Sequence, residues 1–406
     1  MGENIFITEI KINQLRHLHD ITIPIVKDGG GMKHLILTGK NGSGKTSLIK
    51  ALGNYLKEIT EKRLSTFQES IKGISEKDYN KWLQSVTDKI FTSLNNFEGI
   101  DLSFNVPDTP VLVKYLEEKF FVALFEAKRD FILIKPTSIE KVDLPLFSGV
   151  QANSSNNFLK YLVFLRSKLT DASYRKDYNE VKKLEEWFVF FESTLRKIFN
   201  DNDLKLEYDS NKLNFNIIQT YKKPFDFNTL SDGYAAILRI FTELMMRMEN
   251  KKADAYDING IVLIDEIETH LHIELQKSIL PFLTAFFPKV QFIVTTHSPF
   301  ILNSIENAVV YDLENHLLFE DASELSYSSL IKNYFLVDSE YSLLMEKKIN
   351  DFEALINKAD RTDNDDEKLA DLLVDLKTLS PLLSPEMYVR FQQAQKKILK
   401  TSPARN

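Results

Sequence analysis

Cysteine is absent from this sequence of 406 residues. Its absence excludes a disulfide scaffold, thiolate zinc sites, cysteine-ligated iron–sulfur clusters and a cysteine nucleophile. Glycine and proline are sparse, with 13 and 12 residues, too few for a linker or a collagen-like chain. No apolar run reaches the ~18 residues that a membrane-spanning helix needs, so no membrane contact is expected. An excess of positive charge is also missing. The 51 Lys and Arg face 58 Asp and Glu, a net charge of −7. That balance argues against a uniformly basic nucleic-acid wrapper and leaves room for a local basic face. The opening Met1-Gly2-Glu3-Asn4 carries an acid and no basic stretch, unlike a secretory signal. The expectation is a cytoplasmic protein. What is present is an ordinary globular balance, 43% apolar and 27% charged, long enough for two or three domain equivalents.

Residues 34–38 read as a short apolar strand, and residues 45–56 as an amphipathic helix. Between them stands Gly39-Lys40-Asn41-Gly42-Ser43-Gly44-Lys45-Thr46, which matches G-x-x-x-x-G-K-[ST] at every fixed position. Glycines let backbone N–H groups curl around phosphate oxygens, and the helix N-terminus adds a positive dipole end. The candidate nucleotide ligands are Gly39, Asn41, Gly42, Ser43, Gly44, Lys45, Thr46 and Ser47. Lys45 is expected to reach the β- and γ-phosphates of ATP, and Thr46 to ligate Mg²⁺.

A second motif is Ile261-Val262-Leu263-Ile264-Asp265-Glu266, an apolar strand ending in two acids. A strand buried on both faces has little reason to end so unless the acids have a partner. Asp265 suits the Mg²⁺ shell, and Glu266 is placed to polarise an attacking water. Leu230-Ser231-Asp232-Gly233-Tyr234 opens a helix, with Ser231 in an N-cap position. Ser231 and Gly233 can form a second anion site, for a γ-phosphate presented by another subunit. The buried strand 290–296 runs into His297, a candidate γ-phosphate sensor. His270 and His272 are two apart and face different ways on a helix, so no metal site is expected from them.

Further strands are expected at 4–12, 21–25, 119–124 and twice within 203–219. Helices are expected at 157–170, 174–199, 231–249 and 271–284, and after Glu320 at 341–357, 366–378 and 386–400. The acids at 363–367 read as a solvated turn.

Taken in order, these motifs resemble the ABC-type ATPase head shared by SMC proteins, RecF and the overcoming-lysogenization-defect nucleases. The resemblance runs from residue 4 to about 312. The segment Ile10 to Leu18 looks like the family's N-terminal strand and arginine turn. Leu230 to Tyr234 stands where the family has its signature, with Asp232 and Tyr234 replacing Gly and Gln. That form, with Thr295-Thr296-His297-Ser298-Pro299, is similar to stand-alone ATPases of bacterial defence cassettes, including Septu and retron-associated ones. The resemblance implies an α/β fold of P-loop NTPase type, a mixed sheet with flanking helices. It divides the chain into an ATPase core (1–56 and 200–312), an inserted mostly helical lobe (57–199) and a helical C-terminal region (313–406). It implies ATP hydrolysis with Mg²⁺, using Lys45, Glu266 and His297, and a homo-oligomer of at least two heads joined head to tail. A separate effector protein, a nuclease or toxin, would be the partner in anti-phage defence. The alternative is a RecF-like repair ATPase that binds DNA directly, and DNA or RNA stays open as a partner. Gln151 and the Ala127-Lys128-Arg129 stretch are alternative candidates for the glutamine-loop region. A transporter subunit and a nuclease site within this chain are the less favoured readings.

Overall fold

The computed structural model describes residues 4–26, 30–62, most of 81–107, 120–142 without 130, residue 150, 154–249, 258–319, 322–324 and most of 343–396. The chain divides into two compact units, Met1–Tyr327 and Ser328–Asn406.

In the first unit the strands are β1 (Ile7–Leu15), β2 (Leu18–Pro24), β3 (His34–Thr38), β4 (Ile100–Phe104), β5 (Phe120–Phe125), β6 (Lys205–Asp209), β7 (Asn214–Ile218), β8 (Phe225–Asp226), β9 (Asn259–Ile264), β10 (Val290–Thr295), β11 (Ala308–Asp312) and β12 (Leu317–Phe319). The longer helices are α1 (Lys45–Lys57), α2 (Phe158–Arg175), α3 (Tyr178–Phe199), α4 (Asp232–Glu249) and α5 (Ile273–Phe286). Among the described residues, a six-stranded sheet has the order β12-β11-β3-β10-β9-β5. Its neighbours from β11 to β5 are parallel, and β12 is an antiparallel edge. Every residue of β3, β9 and β10 is buried. Such strands are covered on both faces, and that is why they read as near-continuous apolar runs, with polar residues such as Gln291 near their ends. The expected mixed α/β class with flanking helices is what the structure has.

Two smaller antiparallel sheets, β2-β1-β4 and β6-β7-β8, complete the unit. Gln291, at the start of β10, joins β1 to the central sheet. Its side chain accepts from Ile7 N–H at 2.8 Å and donates to the Ile7 and Lys33 carbonyls at 2.9 Å each. Helix α1 shares one hydrophobic core with isoleucines of β1 and β2 and with Leu35, Leu37, Ile261, Leu263 and Ile293 of the central sheet. The expected inserted stretch 57–199 supplies strands to two sheets, β4 and β5, as well as the hairpin α2–α3. The first unit also runs past residue 312, because β12 pairs with β11.

The hairpin turns at Lys176, a left-handed C-cap with φ 59, and Asp177 caps α3 by accepting from Glu180 N–H. Its base is tied to the end of α4 through Glu249, which accepts from Trp187 Nε1 at 2.6 Å and from the Tyr161 hydroxyl at 2.9 Å. Farther down α4, Arg247 and Glu243 form an ion pair at 2.9 Å with side chains 2% exposed. Arg247 also donates to the Val122 carbonyl at 2.7 Å, and Glu243 accepts from Ser155 N–H at 2.8 Å. The pair therefore fastens α4 to β5. Removing one partner strands a buried charge, which costs about 3–5 kcal/mol. Arg247→Met should lower the unfolding free energy of the first unit by about that amount, read from urea denaturation.

The second unit holds α6 (Leu343–Asn357) and α7 (Asp363–Leu379), packed through Ile349, Phe352, Leu369, Leu376 and Phe391. Most of the helix expected at 386–400 lies outside the described residues. The acids expected as a turn instead open α7, with Asp363, Asp365 and Asp366 in its first turn. There they face the positive end of the helix dipole. Asp365 accepts from Lys358 Nζ at 2.6 Å and from Thr362 N–H at 2.9 Å. These bonds, Lys358 first, hold its carboxyl well below the usual range.

Candidate functional site: a phosphate loop at the sheet edge

The parallel order brings the C-terminal ends of β3, β10, β9 and β5 side by side, where ligands collect in open α/β sheets. The loop leaving β3 has positive φ at Gly39, Gly42 and Gly44 (133°, 88° and 98°). At Gly44 a side chain is excluded twice. The left-handed φ disfavours it, and a Cβ would stand 2.7 Å from Leu18 Cδ1. The buried Lys45 ammonium donates to the Gly39 carbonyl at 2.7 Å, the Lys40 carbonyl at 2.9 Å and Ser43 Oγ at 3.4 Å. Burial lowers its pKa, and Glu266, Glu268, Asp265 and Asp312 pull the other way.

Asp265, at the end of β9, is almost fully buried. Its Oδ1 accepts from Thr295 Oγ1 at 2.6 Å and from Thr46 Oγ1 at 3.3 Å. Thr295 in turn accepts from Glu266 N–H at 2.7 Å. Glu266 has a left-handed φ of 46°, which turns the chain sharply out of the strand. His297 follows β10, and its N–H donates to Glu268 Oε1. Burial and the Lys45 charge lower the His297 pKa below its usual value, against the pull of Glu268, Glu266 and Asp265.

These groups surround a cavity of about 230 Å³ lined by Arg16, His17, Asn41, Gly42, Gly44, Lys45, Thr46, Ser47, Glu266 and His297. Most of the predicted site residues therefore meet in one place. Gly39 and Ser43 hold Lys45 from behind, and Asp265 reaches the cavity through Thr46. Arg16 and His17, at the β1–β2 turn, were not foreseen as cavity residues. Their signal was the basic turn just before an alternating strand. Thr295 was missed as well; its signal was a hydroxyl closing an otherwise apolar run.

Ser231 and Gly233 do not line this cavity. Ser231 is exposed, and its carbonyl accepts from Ala235 N–H at 2.9 Å as the first bond of α4. Gly233 is buried against the loop after Glu266, where a Cβ would stand 3.0 Å from the His270 carbonyl. Tyr234 stacks on Phe199 of α3 with centroids 4.3 Å apart. Gln151 lies outside the described residues. Arg129 faces backbone carbonyls at the base of the acidic turn, away from the cavity lining.

The donor set suits a small hard cation. It offers one hydroxyl and one carboxylate, 3.3 Å apart, beside a cradle of backbone N–H groups. Mg²⁺ is ordinarily held by one or two protein oxygens plus phosphates. Among the described residues no group of three His, Cys, Asp or Glu could hold a metal ion. His270 and His272 are both exposed. Among the same residues no helix is long and apolar enough to cross a membrane.

Residues 117–303 match the family described as "AAA domain, putative AbiEii toxin, Type IV TA system". The matched stretch holds Ser231, Asp265, Glu266 and His297, and begins after the phosphate loop. The chain is 28% identical over 327 residues to the Septu protein PtuA of Bacillus mycoides (strain KBAB4), a match covering 77% of this chain and 41% of that protein. It is 34% identical over 120 residues to the "Retron Ec83 probable ATPase" of Escherichia coli, covering 29% and 20% of the two chains. Against the SMC head domain from Thermotoga maritima the TM-score is 0.35 at 13% identity, over 75% of this chain and 94% of that one. The chain is distantly related to the Septu protein PtuA and to the retron Ec83 probable ATPase.

Proposed function

We propose that this chain binds and hydrolyses ATP, that two copies close head to tail on the nucleotide, and that this motion controls a partner effector in bacterial anti-phage defence. The observation that carries the reading is the convergence of Lys45, Thr46, Glu266 and His297 on one cavity of about 230 Å³. Glycine-loop N–H groups and Lys45 bind the phosphates. Mg²⁺, with Thr46 and Asp265 beside it, would supply charge neutralisation at the phosphate oxygens. Glu266 accepts the proton of the attacking water, and His297 donates an imidazole N–H toward the terminal phosphate. Arg16 and His17 close the cavity wall on the β1–β2 side.

The head-to-tail arrangement is supported by the signature. Ser231 is exposed and does not serve its own cavity, so its helix N-terminus is free for a second copy. The effector and the defence setting follow from the Septu and retron resemblance. The PtuA match covers 41% of that protein, so partner and trigger are part of the proposal.

Ser231→Arg tests the arrangement. A bulky cation at the facing site should block closure while ATP still sits on the phosphate loop. Nucleotide affinity should stay near wild type, and the ATP-dependent dimer should vanish from light scattering. Because the chain has no cysteine, the pair Ser231→Cys and Asn41→Cys would carry the only thiols for a bifunctional crosslinker. Crosslinking should require ATP. Equal crosslinking with and without nucleotide would sink the head-to-tail model.

A further inference from the structure

Arg129 sits on the loop after β5 and is 8% exposed. Its Nε donates to the Glu126 carbonyl at 3.0 Å. Its terminal nitrogens donate to the carbonyls of Asp265 at 2.7 Å, Glu266, and Ile267 at 3.4 Å. One guanidinium thus holds three successive carbonyls of the acidic turn. An extended strand could not offer them, because alternate carbonyls point to opposite sides. They converge because Glu266 adopts a left-handed φ of 46°, a conformation that a non-glycine residue keeps only where its surroundings enforce it. Further bonds act on the same turn: Ile267 N–H donates to the Thr295 carbonyl at 3.1 Å, Thr269 N–H to the Glu266 carbonyl at 2.9 Å, and Thr269 Oγ1 to the Glu266 carboxylate at 3.3 Å. Asp265 N–H donates to the Phe125 carbonyl at 2.8 Å, and Glu266 N–H to Thr295. The backbone on both sides of the Glu266 side chain is therefore fixed from β5 and from β10.

We propose that Arg129 is a positioning residue for Glu266: by clamping the three carbonyls of the Asp265–Ile267 turn, it sets where the Glu266 carboxylate points, without itself lining the nucleotide cavity. This rests on the reading of Glu266 as the group that activates water. Arginine suits the task because its planar fork carries five donors in fixed directions. A lysine ammonium brings the same charge as a point and cannot span the turn in the same way. Burial lowers the Arg129 pKa to about 10, still far enough above neutrality for all five donors to be present at pH 7.

The test measures ATP turnover and fluorescent-nucleotide affinity on the full chain. Arg129→Gln and Arg129→Lys are each made in the wild-type and Glu266→Gln backgrounds. Arg129→Gln should lower turnover about 10–100-fold, the usual cost of a loosened positioning partner, while nucleotide affinity stays at the wild-type level. Arg129→Lys should recover part of the loss. In the Glu266→Gln background, neither change should reduce the residual turnover further, because a residue that acts through Glu266 has nothing left to position. If Arg129→Gln fails to fold, Arg129→Lys is decisive alone: reduced turnover at unchanged affinity supports the role. Turnover equal to wild type in either folded variant would overturn it. So would a loss that multiplies with that of Glu266→Gln, or a fall in nucleotide affinity in step with turnover. A wild-type chain that binds nucleotide and hydrolyses none would overturn the reading of Glu266 itself, and the role of Arg129 with it.

Discussion

Lys45→Ala is expected to lower the affinity for Mg²⁺–ATP by about 10–100-fold, because a charge-assisted hydrogen bond contributes about 1.5–3 kcal/mol. The expected size follows from where the ammonium stands. It is buried, its three donors are directed at Gly39, Lys40 and Ser43, and burial already disfavours its charge. Such a cation gains more from a polyphosphate than an exposed one would, because water competes less for it. Alanine removes both the charge and the tie that draws the loop carbonyls inward. Lys45→Arg is a useful companion. It keeps the charge but brings a larger planar head into a space shaped for a compact ammonium, so it should also bind poorly. Calorimetric titration with ATP in Mg²⁺ buffer reads both variants. An affinity unchanged in Lys45→Ala would mean that Gly39–Thr46 is not the nucleotide site.

The parts of this site that could be read from the sequence are those in which contiguous residues carry the chemistry. The loop Gly39–Thr46 is one such part, since its cradle is made by backbone groups of eight neighbouring residues. The acidic end of β9 is another, since two carboxylates after an apolar run stand out without any knowledge of their partners. What escaped was assembled across the chain. Thr295 bonds Asp265 from 30 residues away, Arg129 reaches the same turn across 136, and Gln291 joins β1 across 284. Thr295 and Gln291 are unremarkable in their own segments, and Arg129, noted in the sequence only as a candidate for the glutamine-loop region, gains this role only through sheet order. The same holds for strands. The buried runs β3, β9 and β10 were legible because both faces are covered, so apolar residues follow one another. The edge strand β12 was not, because Leu317 and Leu318 are exposed and the strand is only three residues long; β11 was missed although all five of its residues are buried. Tyr234 shows a third case. As a departure from a familiar signature it carried no physical meaning until its ring was found stacked on Phe199. That contact links the start of α4 to the end of the α2–α3 hairpin.

Glu266→Gln should give the largest change of all. The chain should still bind ATP and should lose hydrolysis by about 10²–10⁴-fold, the range for removing a positioned general base. The two side chains have the same shape, and the turn that carries them is set by backbone bonds to Thr295 and Arg129 that the substitution leaves in place. The amide keeps an oxygen that can accept from water, but it has no charge with which to draw the proton away. A second consequence follows from the same lost charge. With ATP bound as proposed, the wild-type carboxylate would face the terminal phosphate across a small cavity, where like charges sheltered from water repel. The amide removes that repulsion, so the closed, ATP-bound pair should live longer. Hydrolysis and assembly should therefore move in opposite directions in one variant, a combination that simple damage to the site cannot produce. A phosphate-release assay reads the first effect and light scattering with ATP the second, with Ser231→Arg as the opposite control. If helical contacts already hold the chain as a dimer, mass will not change. The ATP-dependent crosslink between positions 231 and 41 then becomes the readout, and it should be stronger in the Glu266→Gln background than in the wild type. Hydrolysis that survives the change at the wild-type rate would remove Glu266 from the reaction. Loss of hydrolysis without a longer-lived pair would leave a monomeric ATPase, with no second copy completing its site.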